Sequence, residues 1–298
     1  MAAIRTWAQQ QRKKRRECSC IDGGDDAQDM RDCPCLQDVC GARYKREGGF
    51  ATLGGPDLLT LVSEVASRAL KVVWRQKWLV HRRSRPEALA GYLHIQTIGT
   101  DTGATTPFGI SEDISKSLAG QKIYAANKGG YFLPMAFSAG SPNHPAYGAG
   151  HATVAGACVT ILKAWFDEEA CLSALLPTES CSGASGRPEA PKPAKEPFDF
   201  LSLREPGPCK GADEFEDPQA YCGADRHKLT VGGELNKLAS NVAMGRSIGG
   251  VHWRSDNTRS LRLGEQIAIE ILRKRTHEYA EAGASFSFTS FDGHKVTI

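Results

Sequence analysis

The chain has 298 residues, 41% of them apolar, and a formal net charge of +3 with both signs mixed along its length. That is enough for one large domain or two small ones, and the near balance of charge gives no electrostatic reason to expect a nucleic-acid partner. No uncharged apolar run approaches the roughly 20 residues that cross a bilayer, so no membrane-spanning helix is expected.

Residues 1–50 are polar, charged and glycine-rich without sustained periodicity, and are expected to form a disordered leader. Five of the ten cysteines lie there: Cys18, Cys20, Cys33, Cys35 and Cys40. Their spacing is not that of a standard zinc module, which pairs C-x-x-C units with each other or with histidines. The run Arg12-Lys13-Lys14-Arg15-Arg16 reads as a solvated charge cluster. The N-terminus has no apolar core of a signal peptide, so the sequence assigns no localisation.

Residues 51–298 read as one helical domain. Pro56 and Asp57 suit the first turn of a helix. Leu58, Leu61, Val62, Val65, Ala69, Val72 and Val73 then recur at helical spacing and predict a buried stripe. Pro86 is expected to stop that helix. Residues 99–112 are expected to be loop, followed by a short helix over about 113–125. "HATVAGACVTILKAWFDEE" predicts a helix whose early small residues allow close packing, with Cys158 as a small core residue. Residues 177–228 hold eight of the fifteen prolines and are expected to be a partly disordered insertion, with room for one disulfide among Cys181, Cys209 and Cys222. Helical periodicity returns through Leu235, Leu238 and Val242, and a last long helix covers "TRSLRLGEQIAIEILRKRTHEYA". The terminal "FSFTSFDGHKVTI" alternates, with Asp292-Gly293 as a two-residue hairpin signal. The fold class is mainly α: a helical bundle with a small C-terminal β-hairpin.

Three separated segments share a theme. "KWLVHRRSRPE" carries Lys77 and, eight residues on, Arg85-Pro86. "SPNHPAYGAGHATVAG" carries His144 and His151, the latter beside Gly150 at a helix start. "GRSIGGVHWRSD" carries Arg246, His252 and Asp256. A helix N-terminus offers unpaired N–H groups and the positive end of the helix dipole to an anion. Arginine forks match tetrahedral oxyanions, and lysine adds a point charge. Burying Lys77, Arg85 and Arg246 together without an anion would be costly, so their convergence would imply a multiply charged anion such as phosphate or vanadate.

The order and spacing of these segments resemble the vanadium-dependent haloperoxidase family, in its bromoperoxidase branch, which shares an oxyanion site with vanadate-sensitive acid phosphatases. The common pattern is Lys, six or seven residues, Arg-Pro; then Pro-Ser-Gly-His; then Ser-Arg or a variant, five residues, His, three residues, Asp. "KWLVHRRSRPEALAG", "SPNHPAYGAGHATVAGACVTILKA", "LTVGGELNKLASNVAMGR", "GVHWRSDNTRSLRLGE" and "FSFTSFDG" extend the likeness over about residues 57–298, interrupted by the insertion. The resemblance implies the family's helical bundle, in its C-terminal half. It implies vanadate held by Lys77, Arg85, Arg246 and the Gly150 N–H, with His252 as the vanadium ligand. It makes His151 the acid–base group and Lys77 a catalytic cation that polarises bound peroxide. It casts His144 as a residue tuning halide choice toward bromide, or iodide, and Asp256 as a residue that orients and charge-balances the site, with a salt bridge to a nearby arginine as the alternative. Trp74 falls near the halide path, with core packing as the alternative.

The activity so implied is oxidation of halide by hydrogen peroxide to a hypohalous species that halogenates small organic acceptors, in a homo-oligomer. A phosphatase would use the same cradle with His252 as nucleophile. Two departures stand out. Gly148-Ala149 replaces Pro-Ser, removing a hydroxyl from the anion. Family enzymes are also much longer, with a helical bundle before the motif-bearing half, so an inactive, truncated relative is a third reading.

Overall fold

The computed structural model describes residues 50–101, 109–172, 204–205, 219–221, 223, 225, 228–279 and 284–298. The cysteine-rich leader, the basic run, most of the 177–228 insertion and Cys181, Cys209 and Cys222 lie outside the described residues. Cys171 is disulfide-bonded to a residue that also lies outside them.

The fold is mainly helical. Helix α1 spans Gly55–Arg75 and runs directly into a π-helical turn, Gln76–His81, which ends at Arg82 in the left-handed region (φ 46°). Leu61, Val65, Ala69 and Val73 are fully buried, four residues apart. Leu58 and Val62 pack partly against the core, whereas Val72 faces out. Pro86 does not merely stop this helix. It is the first residue of a new one, α2 (Pro86–Asp101), where its fixed φ and missing N–H cost nothing. The chain between is reversed by Arg82, so the sequence reading of a single stop missed a helix. The short helix expected near 113–125 is split at Ser117 into α3 (Glu112–Lys116) and α4 (Leu118–Ala126). The Ser117 hydroxyl accepts from the Gly120 N–H, capping the second.

Helix α5 (Gly150–Trp165) occupies the centre. Helices α6 (Val231–Ile248) and α7 (Arg254–Glu278) complete the bundle. The core joins Leu61, Val65 and Ala69 of α1 to Ala157 and Ile161 of α5 and Ala268, Ile269, Ile271 and Leu272 of α7. Small residues let α5 and α7 meet closely. A Cβ on Gly264 would lie 2.6 Å from the Ala157 nitrogen, and one on Gly156 would lie 2.9 Å from Leu261 Cα. Cys158 is partly buried, and its thiol donates weakly to the Val62 carbonyl at 3.8 Å.

Helix α6 forms as its periodicity predicts, but it presents a different face. Gly232, Ala239 and Ala243 are buried, while Leu238 and Val242 point outward at 54% and 38% exposure. Backbone strands β1 (Arg204–Glu205) and β2 (Gln219–Ala220) pair antiparallel. At the C-terminus β3 (Ser287–Thr289) pairs antiparallel with β4 (Lys295–Thr297). The turn is longer than the Asp-Gly pair alone. The Ser290 N–H donates to the His294 carbonyl across three residues, with Gly293 left-handed (φ 81°). Phe288 of this hairpin is fully buried, and the Lys163 ammonium donates to the Thr289 carbonyl at 2.7 Å, so the hairpin is locked onto α5.

Candidate active site

Lys77 reaches the interior because it is the next member of the four-residue series that buries Leu61, Val65, Ala69 and Val73. It is fully buried. Its Nζ donates to the Pro145 and Ala146 carbonyls at 2.6 and 3.3 Å. Burial first, and repulsion from Arg85 and Arg246, push its pKa down to about 7.

Arg85 is held at the end of the reversing segment and is 6% exposed. All five of its N–H directions find acceptors. Nε donates to the His144 carbonyl (2.9 Å), Nη1 to the Val251 carbonyl (2.8 Å) and His252 Nε2 (3.0 Å), and Nη2 to His144 Nδ1 (3.1 Å) and the Pro145 carbonyl (3.4 Å). Burial and the charge of Arg246 lower its pKa to about 10.

His252 sits in the turn between α6 and α7, on a loop made by Gly249 and the left-handed Gly250 (φ 75°). Its Nδ1 faces Asp256 Oδ2 at 3.1 Å, and Asp256 is fully buried. The same carboxylate oxygen accepts from the Trp253 N–H (3.0 Å), so Asp256 also closes the first turn of α7. Ser247 Oγ donates to the His252 carbonyl at 3.2 Å and accepts from Asn257 Nδ2 at 2.7 Å, which braces the turn from both helices.

Gly150 opens α5, and Ala149 caps it with no side-chain hydrogen bond. Ala149 is fully buried, and its N–H donates to Ser260 Oγ at 2.8 Å. A Cβ on Gly148 would fall 2.7 Å from that same hydroxyl, which explains glycine there. His151, on the first turn, is exposed, and among the described residues its ring has no hydrogen-bond partner. Burial of part of the ring and the charges of Arg246 and Lys77 lower its pKa.

Arg246 lies in the last turn of α6. Its Nε is buried without an acceptor among the described residues, and its guanidinium lies 5.7 Å over the Phe137 ring. It makes no ion pair among the described residues. His144 stacks at 5.1 Å on Trp74, which is 6.3 Å from Trp78. Burial, Lys77 and Arg85 push the His144 pKa down to about 4, leaving a neutral imidazole at neutral pH. Trp74 is 40% exposed, so it is an aromatic wall beside His144 rather than a core residue.

The nine residues singled out in the sequence thus fall in one region where α1, the 140–150 segment and the α6–α7 turn converge. Sequence reasoning missed Arg83, whose Nη1 donates to Asp256 Oδ1 at 2.8 Å, and Ser260, which holds the Ala149 amide. Neither belongs to the spacing pattern; the arginine-rich run "HRRSRP" was the one available signal.

The site suits a multiply charged oxyanion. Burial lowers the pKa of all three cations, Arg85 and Arg246 add to it at Lys77 and Arg246 at Arg85, Arg246 Nε lacks an acceptor among the described residues, and the Asp256 carboxylate is already engaged by Arg83 and His252. Gly150 and His151 add the leading amides of a 16-residue helix.

Comparison with known proteins agrees with that chemistry. The chain is 38% identical over 262 residues to a vanadium-dependent bromoperoxidase of Corallina pilulifera, and 37% identical over 262 residues to that of Corallina officinalis. It is 33% identical over 257 residues to that of Ascophyllum nodosum. These alignments cover 84–85% of this chain but only 38–40% of the relatives, so the chain spans well under half of their length. The homohexameric second vanadate-dependent bromoperoxidase of Ascophyllum nodosum superimposes with a TM-score of 0.58 at 30% identity, over 86% of this chain and 42% of that one. No family model matches the chain. Along the shared stretch the chain is similar in sequence and in fold to these vanadium-dependent bromoperoxidases.

Proposed function

From this kinship with the vanadium-dependent haloperoxidases, we propose that the chain carries the vanadate site of a bromoperoxidase. It would use hydrogen peroxide to oxidise bromide, or iodide, to a hypohalous species that halogenates small organic acceptors. The observation that carries the reading is the Arg246 Nε, which is buried without an acceptor among the described residues while the charge of Arg246 also acts on the fully buried Lys77. A cation set of this kind is relieved by an oxyanion.

In this reading Lys77, Arg85 and Arg246 neutralise the vanadate oxygens, and the Gly150 N–H donates to another. His252 Nε2, whose lone pair now accepts from Arg85 Nη1 at 3.0 Å, would serve as the vanadium ligand. Bound vanadate supplies Lewis-acid activation of hydrogen peroxide. The chain's own residues do the rest. Asp256 accepts from His252 Nδ1 and keeps the ring turned inward. Lys77, buried at the site, would stabilise the negative charge that develops on the transferred oxygen. His151, exposed at the helix start with a depressed pKa, takes a proton from incoming peroxide and returns it to the leaving oxygen. His144, neutral and backed by Trp74, borders the path by which halide approaches. Residues 51–298 serve as one helical unit interrupted at about 177–228, and work as a homo-oligomer.

The test is bromination of a dimedone-type acceptor by the metal-stripped full chain, with and without orthovanadate, alongside phosphate-ester hydrolysis. The reading requires bromination that depends on vanadate and is lost in His252→Ala. Vanadate-inhibited ester hydrolysis without bromination would make the chain a phosphatase, and no activity of either kind would make it an inactive relative.

A further inference from the structure

We propose that Arg83, which lies outside the recognised motif, is a positioning residue that fixes the tautomer and aim of the His252 ring through Asp256. The inference rests on the reading of His252 as the anion-binding imidazole, but its central test does not need the anion.

An arginine nitrogen can only donate. The 3.0 Å contact between Arg85 Nη1 and His252 Nε2 therefore needs the ring's lone pair at Nε2. A neutral imidazole then carries its proton on Nδ1, where it donates to Asp256 Oδ2 at 3.1 Å. The ring is thus fixed from both sides, and the side opposite Arg85 depends on where the Asp256 carboxylate stands.

Arg83 decides that. Its Nη1 donates to Asp256 Oδ1 at 2.8 Å and to Ser255 Oγ at 2.8 Å. With Oδ1 taken by Arg83 and Oδ2 shared by the Trp253 N–H and His252, the carboxylate has no freedom to rotate away. Arg83 is itself held in three ways. Its guanidinium lies 5.2 Å over the Trp253 ring, that ring's Nε1 donates to the Ser84 carbonyl at 2.9 Å, and the Arg83 carbonyl accepts from Ala146 N–H at 2.9 Å. The side chain is 40% exposed while Asp256 is wholly buried, so Arg83 brings a charge from the surface to a carboxylate that is shielded from solvent. Its side chain contacts Ser255, Asp256 and Trp253, and it reaches His252 through Asp256.

The arginines of "HRRSR" are consequently not equivalent. Arg82 takes the left-handed turn that reverses the chain, Arg83 reaches Asp256, and Arg85 reaches His252 from the opposite side.

The experiment uses the full chain labelled with 15N-histidine, free of vanadate and phosphate. Ring nitrogen shifts read the His252 tautomer, assigned by difference from His252→Gln. Wild type should show a protonated Nδ1 and an unprotonated Nε2. Arg83→Met should convert this to a tautomer mixture. It should also weaken orthovanadate binding, measured by calorimetry, by roughly 10–100-fold, the usual effect of losing a residue behind a metal-ligating histidine. Arg83→Lys, which keeps the charge but not the fork, should keep the tautomer and lose less affinity. An unchanged His252 spectrum in folded Arg83→Met overturns the proposal. Should Arg83→Met not fold, Arg83→Gln decides by the same spectrum. Wild type that shows the expected tautomer but binds no orthovanadate would sink the proposed function and leave the role of Arg83 intact.

Discussion

Lys77 shows how one residue serves both the core and the site. It continues the every-fourth-residue series of α1, so the packing that buries Val73 also buries an ammonium group. That position was legible in the sequence twice over, from periodicity and from the spacing to Arg85-Pro86. Its folded pKa is about 7 against an ordinary 10.5. Between those values the unfolded chain binds more protons, so this group's contribution to stability rises with pH from about 7 to about 10.5. In anion-free buffer, the unfolding free energy of wild type relative to Lys77→Met should therefore improve between pH 7 and about 9. Parallel pH profiles for the two proteins would show that burial does not depress this lysine. Ala149 is the second informative residue. It is a helix N-cap with no side-chain bond, at the place where the family pattern has serine. Ala149→Ser should stabilise the chain by about 1 kcal/mol through capping, read by urea unfolding. It should also tighten orthovanadate binding about tenfold, as expected of one added hydrogen bond to a charged group. A gain in stability without a gain in affinity would mean that the hydroxyl serves the helix and not the anion.

At the scale of elements, the sequence identified helices wherever a long apolar period ran uninterrupted, and misjudged them where local chemistry intervened. Pro86 reads equally as a stop or a start, and the left-handed Arg82 that decides the matter has no sequence signature. In α6 the leucines set the period, but Gly232, Ala239 and Ala243 make the contact, because only small residues allow α6 to approach α5. The same closeness governs the site. His151 stands at the start of α5 and His252 just before α7, so the spacing of these two helices sets the spacing of the two imidazoles. Gly264 is the residue that permits it, since an added Cβ would meet the Ala157 nitrogen at 2.6 Å. Gly264→Ala should cost about 1–3 kcal/mol through overpacking and should lower vanadate affinity as well, because an added Cβ would press on the Thr153 backbone, two residues beyond His151. Calorimetric binding beside urea unfolding separates the two effects. A destabilised variant with wild-type affinity would show that the site is held by its own hydrogen bonds rather than by the helix pair.

Among the described residues, large apolar side chains stand exposed on two faces. Trp78, Leu79 and Val80 lie on the π-helical turn at 43%, 72% and 57% exposure, and Leu238, Val242, Met244 and Ile248 form an outward face on α6, with Ile248 at 85%. Among the described residues no helix is long and apolar enough to cross a membrane, so a bilayer-spanning helix does not account for this surface. Surface of this kind marks association. The chain spans 38% of the Corallina enzymes' length, and its structural relative from Ascophyllum nodosum is a homohexamer. The exposed apolar faces predict association between copies through these two surfaces. Sedimentation velocity across a wide concentration range should give species larger than one protomer. Leu79→Glu and Ile248→Glu should each shift the distribution toward the monomer, because a charge placed in an apolar contact must be desolvated without a partner. Neither substitution touches Lys77, Arg85 or His252, so orthovanadate affinity per protomer should stay within about twofold, which is roughly 0.4 kcal/mol. If wild type sediments as a monomer at every concentration, these faces are not contacts between copies. If the variants dissociate but also lose vanadate affinity, then assembly, rather than the protomer alone, holds the three cations in place.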